Sequence, residues 1–296
     1  MSKPIVFVHT NDQQMLGAKL SAYSMRRNTR HANRFEVRLL RLEDTPGLFG
    51  REGQKYLRMG KMATWHNDDL QSFSPLRRMV PQLMQFQGRA LVTDPDVFSV
   101  GGDVFDLLDC DLQGKALLCR NLPAEKGGGA QRWASSVMLL DCARLTNWRW
   151  DDQIDAMFKG TLDYKPWIQL ADQAADSIGE LPEVWNSFDK LEPETRLLHM
   201  TERLTQPWKT GLPIDFNLNF KSVTGRAKRW LGQRGWLSSP RYQQHPDPRQ
   251  AAFFFSLLKE CLANGEVSED YVRQAIASHD VRADAFEVLA RLEQPA

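Results

Sequence analysis

The sequence predicts an α/β fold, a sheet flanked by helices with a mainly helical C-terminal extension. Three observations carry that expectation. Short apolar runs alternate with helix-spaced segments through the first half of the chain, the order that a sheet with crossover helices produces, and the composition shifts around residue 165. Two carboxylates, Asp94 and Asp96, close one of those runs, at the kind of strand end where α/β sheets bind ligands. Near the C-terminus, residues 249–264, 267–278 and 283–293 each have helical periodicity. At 296 residues the chain can bury the core of one large domain with an appended subdomain.

Taken in order, Ile5 to Val8 is the first strand, and Thr10-Asn11-Asp12 is a loop able to cap the next helix. That helix covers residues 14–28, with Leu16, Leu20, Tyr23 and Met25 at helical spacing. Phe35 to Leu42 is the next strand, followed by a polar, glycine-containing stretch to about residue 72. Residues 76–86 have a helical pattern, and Arg89-Ala90-Leu91-Val92-Thr93 is a strand leading into Asp94. Further strands are expected at 116–119, 137–140 and 196–199, with a short helix over Ile168 to Ser177. A soft boundary near residue 215 divides a domain 1–215 from a basic, mainly helical extension 216–296.

The chain is 42% hydrophobic and 25% charged, ordinary for a globular protein. No apolar run is long enough to span a bilayer, and Met1-Ser2-Lys3-Pro4 runs directly into a strand rather than a leader's apolar region. A cytoplasmic location is the expectation, with peripheral attachment at the inner membrane face as an option. Four cysteines without a CxxC pair read as buried thiols rather than as a zinc site or a disulfide framework. The net charge of +1 is unevenly distributed. Between Asp215 and Asp247 there is no acidic residue, while Lys221, Arg226, Lys228, Arg229, Arg234 and Arg241 fall there among Phe216, Phe220, Trp230, Trp236 and Tyr242. Basic charge with interleaved aromatics at 221–241 suits a peripheral membrane contact, an anionic acceptor or, more weakly, nucleic acid. The same pattern fits a solvated face with aromatics packed beneath it.

In Asp94-Pro95-Asp96 the two acidic side chains are at i and i+2, on one side of an extended chain. Carboxylates so placed repel each other unless a cation sits between them. A divalent ion such as Mn²⁺ or Mg²⁺ would complete its shell with diphosphate oxygens and water. Taken alone, such a pair also suits a solvated turn or a helix cap. Its setting narrows the choice. Pro4-Ile5-Val6-Phe7-Val8-His9-Thr10-Asn11-Asp12 precedes Leu91-Val92-Thr93-Asp94-Pro95-Asp96-Val97. Ser135-Ser136-Val137-Met138-Leu139-Leu140-Asp141, Asp172-Gln173 and Leu181-Pro182-Glu183-Val184-Trp185-Asn186 follow, and then His199 with Gln206-Pro207-Trp208. Over residues 4–210 this ordered set resembles glycosyltransferase family eight, the group of glycogenin and the bacterial lipooligosaccharide galactosyltransferases.

The resemblance implies a GT-A type nucleotide-binding mixed sheet and a retaining sugar transfer from a nucleotide diphosphate donor, a UDP-sugar. The acceptor would be a glycan, a lipid-linked sugar or a protein. It also implies that Asp94, Asp96 and His199 bind the metal, and an imidazole among the ligands tilts the choice toward Mn²⁺ over Mg²⁺. Thr10, Asn11 and Asp12 lie where base and ribose are expected, and Arg78 lies where the family often has a basic residue facing the nucleotide sugar. Ser135, Ser136 and Gln206 match donor-contacting positions, and Asp172-Gln173 matches the pair that lines the sugar and acceptor pocket. Each residue also has a plainer reading: helix capping for 10–12, a surface charge for Arg78, a satisfied buried imidazole for His199, a solvated helix face for 172–173. Lys126-Gly127-Gly128-Gly129 is either a loop that closes over donor or an ordinary surface loop.

Three departures from the family pattern stand out. Ala134 replaces a usual Asn, Gln206 replaces a usual Lys, and the spacing from His199 to Pro207 is longer. They give weight to an alternative, a catalytically decayed GT-A fold that binds nucleotide sugar or glycan without turnover. Phosphohydrolases of the haloacid dehalogenase type also carry a DxD after a strand. Its place far into the chain and its continuation as Val97-Phe98-Ser99 disfavour that reading.

Overall fold

The computed structural model describes residues 3–123, 132–215 and 240–292. The chain divides into two compact units, Met1–His199 and Met200–Ala296.

The first unit is built on a six-stranded mixed sheet in the order β2-β1-β5-β8-β7-β9. Its strands are β1 (Ile5–Thr10), β2 (Glu36–Arg41), β5 (Arg89–Thr93), β7 (Leu117–Leu122), β8 (Arg132–Asp141) and β9 (Ile178–Glu180). β1 pairs in parallel with both β2 and β5, and β8 runs antiparallel between β5 and β7. A parallel strand covered on both faces reads as an unbroken apolar run, and every residue of β1 is buried. Alternation divides the side chains between two cores. Ile5, Phe7, Ala90, Val92, Met138 and Leu140 face Leu145 and Trp148 on one side. Val6, Leu91, Val137 and Leu139 face Met25, Val104 and Leu107 on the other. Each fully buried Val or Leu contributes roughly 1.5–3 kcal/mol.

Helix α1 (Met15–Arg27) follows β1, as its spacing predicts. The stretch read as polar and irregular contains α2 (Pro46–Phe49) and a hairpin of β3 (Lys55–Arg58) and β4 (Lys61–Thr64). Met59 and Gly60 at its tip have positive φ, and both backbone N–H groups donate to the Asp163 carboxylate, at 2.9 and 2.7 Å. The helical pattern at 76–86 resolves into a 3₁₀ turn, Ser74–Arg78, and the short α3 (Val80–Leu83), ended by positive φ at Gln85 and Phe86. β6 (Val97–Ser99) and α4 (Val104–Asp109) then precede β7, and α5 (Trp150–Phe158) follows β8. The helix expected at 168–177 is displaced. Pro166 sits in the first turn of α6 (Tyr164–Ile168), where it is tolerated, and Leu170 at φ 64° turns the chain, leaving a single 3₁₀ turn at Ala175–Ser177. β10 (Ser187–Phe188), β11 (Leu197–His199) and β6 make a second, three-stranded sheet.

In the second unit, α7 (Pro248–Ala263), α8 (Glu269–Ala277) and α9 (Ala285–Arg291) stand where the periodicity places them. Phe254, Phe255, Leu257 and Leu258 of α7 are fully buried, and Trp208 stacks on Phe254 at 4.7 Å. Lys209 is buried against Asp215 at 3.0 Å, and the Tyr242 hydroxyl donates to the same carboxylate. The glycine loop at 126–129 and most of the basic segment 221–241 lie outside the described residues. Among the described residues no helix is long and apolar enough to cross a membrane. No disulfide forms: Cys119, Cys142 and Cys261 are buried thiols and Cys110 is half-buried.

Candidate functional site

The acidic pair sits at the corner where the chain leaves one sheet for another. The β5–β8 ladder ends at Thr93–Val137, and the Asp94 N–H extends it by one bond to the Ser136 carbonyl, at 2.9 Å. Pro95 has no N–H to continue, so the strand peels away, and β6 pairs antiparallel with β11 in the register His199–Val97. That register sets His199 beside Asp96. Helix α1 holds the corner from behind with residues on one face. A Cβ on Gly17 would meet the Pro95 carbonyl oxygen at 2.9 Å, so only glycine lets the helix approach. Ser21 Oγ donates to the Val97 carbonyl at 2.5 Å, Ser24 Oγ accepts the Ser99 N–H at 2.9 Å, and Asn28 donates to the Ser99 carbonyl at 3.1 Å.

The outcome is a group of three ligand atoms, from Asp94, Asp96 and His199, all within 4.8 Å of one another. Two carboxylate oxygens and an imidazole nitrogen form a donor set that suits a divalent cation. The two Asp side chains are 18% and 17% exposed and His199 7%, so the group is sheltered but not sealed from solvent.

The electrostatics separate the two carboxylates. Asp94 Oδ1 lies 2.8 Å from His9 Nε2 and accepts a bond from Arg77 Nη2, also at 2.8 Å. Burial would raise its pKa, but Arg77 and then His9 outweigh that and hold it at about 2. Burial lowers the His9 pKa despite Asp94, which favours the neutral ring, and the 2.8 Å contact places its Nε2–H on the Asp94 carboxylate. Asp96 Oδ1 faces His199 Nε2 at 3.2 Å. Burial would lower the His199 pKa too, but Asp96, Asp94 and Asp189 reverse the sign and raise it. On the other side of the ring, Nδ1 lies 2.9 Å from Asn186 Oδ1, an oxygen that can only accept, so Nδ1 carries the proton. Asn186 Nδ2 in turn donates to Ser136 Oγ at 3.0 Å.

The other candidate residues are distributed as follows. Thr10 is buried at the end of β1 and bonds the Asn11 carbonyl. Asn11 Oδ1 caps the following 3₁₀ turn through the Gln14 N–H, and its amide donates to the Asp69 carbonyl and Ser72 Oγ. Asp12 is exposed and accepts from Arg41 at 2.8 Å. Ser135 Oγ accepts from Arg77 Nη1 at 2.6 Å and donates to the Ile168 carbonyl at 2.7 Å. Arg78 is fully buried between Trp148, 4.0 Å from its ring centre, and Trp167, at 5.2 Å. It bonds Asp172, and burial pulls its pKa down to about 10 against that carboxylate. The Asp172 side chain is 30% exposed. Gln173 Oε1 accepts the Trp148 indole N–H at 2.8 Å, and its amide donates to Ser177. Gln206 belongs to the second unit, where it is buried and its amide donates to the Met200 carbonyl.

Sequence reasoning assigned no role to Arg77, His9 or Asn186. Arg77 adjoins the nominated Arg78 in one 3₁₀ turn, which sends the first to Asp94 and the second into the tryptophan core. For His9 a signal exists: it continues the Ile5–Phe7 alternation toward the mouth of the sheet.

No protein-family model matches the sequence, and a search of curated proteins returns no match. Solved structures do align with the fold. The glycosyltransferase GlyE of Streptococcus pneumoniae TIGR4 aligns at 15% identity and a TM-score of 0.48, over 90% of this chain and 64% of its own. The chain therefore spans less than two thirds of that protein. Galactosyltransferase LgtC, in complex with donor and acceptor sugar analogues, aligns at 12% identity and a TM-score of 0.47, over 84% of this chain and 99% of its own. Mouse xyloside xylosyltransferase 1 aligns at 14% identity and a TM-score of 0.41, over 67% of this chain and 97% of its own.

Proposed function

We propose that this chain is a metal-dependent, retaining glycosyltransferase that moves a sugar from a nucleotide diphosphate donor, a UDP-sugar, to a glycan, lipid-linked or protein acceptor. The observation that carries the proposal is the meeting of Asp94, Asp96 and His199, two of them separated from the third by about half of the first unit's sequence. The ordered sequence blocks that resemble glycosyltransferase family eight support the same reading. Asp94, Asp96 and His199 would hold the cation, Mn²⁺ by preference for a mixed oxygen and nitrogen set. Such an ion supplies positive charge to a departing diphosphate.

The chain's own residues do the remaining work. Asn186 fixes the His199 tautomer so that Nε2 faces the carboxylates. Arg77, held by Ser135, adds a fixed guanidinium where the negative charge of a donor would accumulate. Asp172 orients or electrostatically stabilises the reacting sugar, held in place by Arg78. Thr10, Asn11 and Asp12, at the mouth of β1, flank the base and ribose.

One observation favours a second reading, binding without turnover. Ala134 is buried in β8 beside Ser135 and offers no side-chain amide to a sugar. UDP release from a panel of UDP-sugars with Mn²⁺ separates the two. The proposal expects release by the wild type and a loss of about a hundredfold or more in Asp94→Ala, the scale of removing a charge-stabilising group. Equal release by Asp94→Ala would sink it, and nucleotide binding with no release would select the second reading.

A further inference from the structure

Asp94 already has a cation. Arg77 donates to its Oδ1 at 2.8 Å, on the same oxygen that takes the His9 bond. The guanidinium is not a passing surface contact. Its side chain is 7% exposed, and its other arm donates to Ser135 Oγ at 2.6 Å, which is itself tied to the Ile168 carbonyl. Arg77 is therefore clamped at two points and cannot leave Asp94 without giving up a buried bond. A fixed guanidinium halves the formal negative charge that the Asp94–Asp96 pair presents to an incoming ion. Like charges in a sheltered site repel far more strongly than in water.

We infer that Arg77 keeps the affinity of the Asp94–Asp96–His199 centre for a divalent cation low until a diphosphate arrives, so that ion and nucleotide are taken up together. The inference rests on the metal centre proposed above. A diphosphate brings the negative charge that offsets both cations at once, through the field alone while Arg77 stays on Asp94 and Ser135. Coupling of this kind is reciprocal: whatever factor the nucleotide adds to ion affinity, the ion adds to nucleotide affinity. The ion is then a companion of the nucleotide rather than a permanent structural metal.

The test titrates Mn²⁺, followed by the electron paramagnetic resonance signal of the free ion, into the full chain with and without UDP. Wild type, Arg77→Met and Arg77→Lys are compared, with near-ultraviolet circular dichroism to establish that each is folded. Without UDP, Arg77→Met binds Mn²⁺ tighter than wild type by about tenfold, or about 1.4 kcal/mol. Arg77→Lys, which keeps the charge, stays close to wild type. UDP strengthens Mn²⁺ binding strongly in wild type and much less in Arg77→Met. Should Arg77→Met fail to fold, Arg77→Gln removes the charge while keeping a polar side chain for Ser135, and the same shift is expected. If neutral variants bind Mn²⁺ no tighter than wild type while UDP still strengthens wild-type binding, the inference is overturned and the metal centre stands. If wild type binds no Mn²⁺ with or without UDP, the metal centre itself is refuted, and this inference with it.

Discussion

Asn186 decides which nitrogen of His199 faces the acidic pair, because its carbonyl oxygen takes the proton-bearing Nδ1 at 2.9 Å. Its own amide is fixed by Ser136, so the ring's orientation is inherited from β8. Residues that orient a ligating histidine from behind typically change metal affinity by 10–100-fold when removed. Asn186→Leu is therefore expected to weaken Mn²⁺ binding by roughly that factor with little change in fold, measured by titration alongside circular dichroism. Undiminished affinity would mean that His199 is oriented by other contacts. Sequence reasoning was least able to resolve this scale. Asp94, Asp96 and His199 were legible from residue type and order, but the choice between adjacent Arg77 and Arg78 was not. That choice depends on the rotation of a 3₁₀ turn, which neither residue type nor spacing encodes.

Helix α1 places the acidic corner, and Gly17 is its point of closest approach. Replacing a helical glycine by alanine ordinarily stabilises by up to about 1 kcal/mol. Here the added methyl would press on the Pro95 carbonyl at 2.9 Å, and overpacking against backbone costs roughly 1–3 kcal/mol. The second effect is the larger. Gly17→Ala is expected to lower the urea midpoint and to weaken Mn²⁺ binding by moving Asp94 and Asp96 together; a stabilised variant with normal Mn²⁺ affinity would refute the positioning role. Asp103 offers a second test. It caps α4 through the Phe105 N–H and holds the Arg30 N–H, at 3.0 and 2.9 Å. Burial would raise its pKa, but the bonds from Thr29, Phe105 and Arg30 outweigh that and hold it below the usual carboxylate range. A lowered folded pKa gives stability that is present above the unfolded value and lost as pH falls through the folded one. Asp103→Ala therefore costs about 1 kcal/mol near neutral pH, and the gap from wild type closes in acid below the unfolded value. A gap that does not shrink as the solution is acidified would contradict this. Elements with strong periodicity, α1 and the three C-terminal helices, were legible in the sequence. The β3–β4 hairpin was not, because Lys55, Arg58 and Lys61 break its apolar pattern, and its tip is secured by distant Asp163.

Across the molecule, the mixed sheet was the most legible feature, since β1, β5 and β8 are apolar runs that only a covered sheet can bury. The topology that makes a site of it was not. The switch at Pro95 from the six-stranded to the three-stranded sheet, and the antiparallel register of β6 with β11, join residues far apart in sequence through pairings that no local pattern announces. The central claim is that this corner binds a divalent ion together with a nucleotide diphosphate. Binding to the folded state alone at a hundredfold excess over Kd adds about 2.7 kcal/mol of stability. In a chain of this size that raises the unfolding temperature by on the order of several degrees. The most direct measurement is thermal unfolding of wild type and Asp94→Ala with Mn²⁺ alone, UDP alone, and both. The account predicts a rise for wild type that needs both Mn²⁺ and UDP and vanishes in Asp94→Ala. No rise in any combination, or an equal rise in Asp94→Ala, would contradict it.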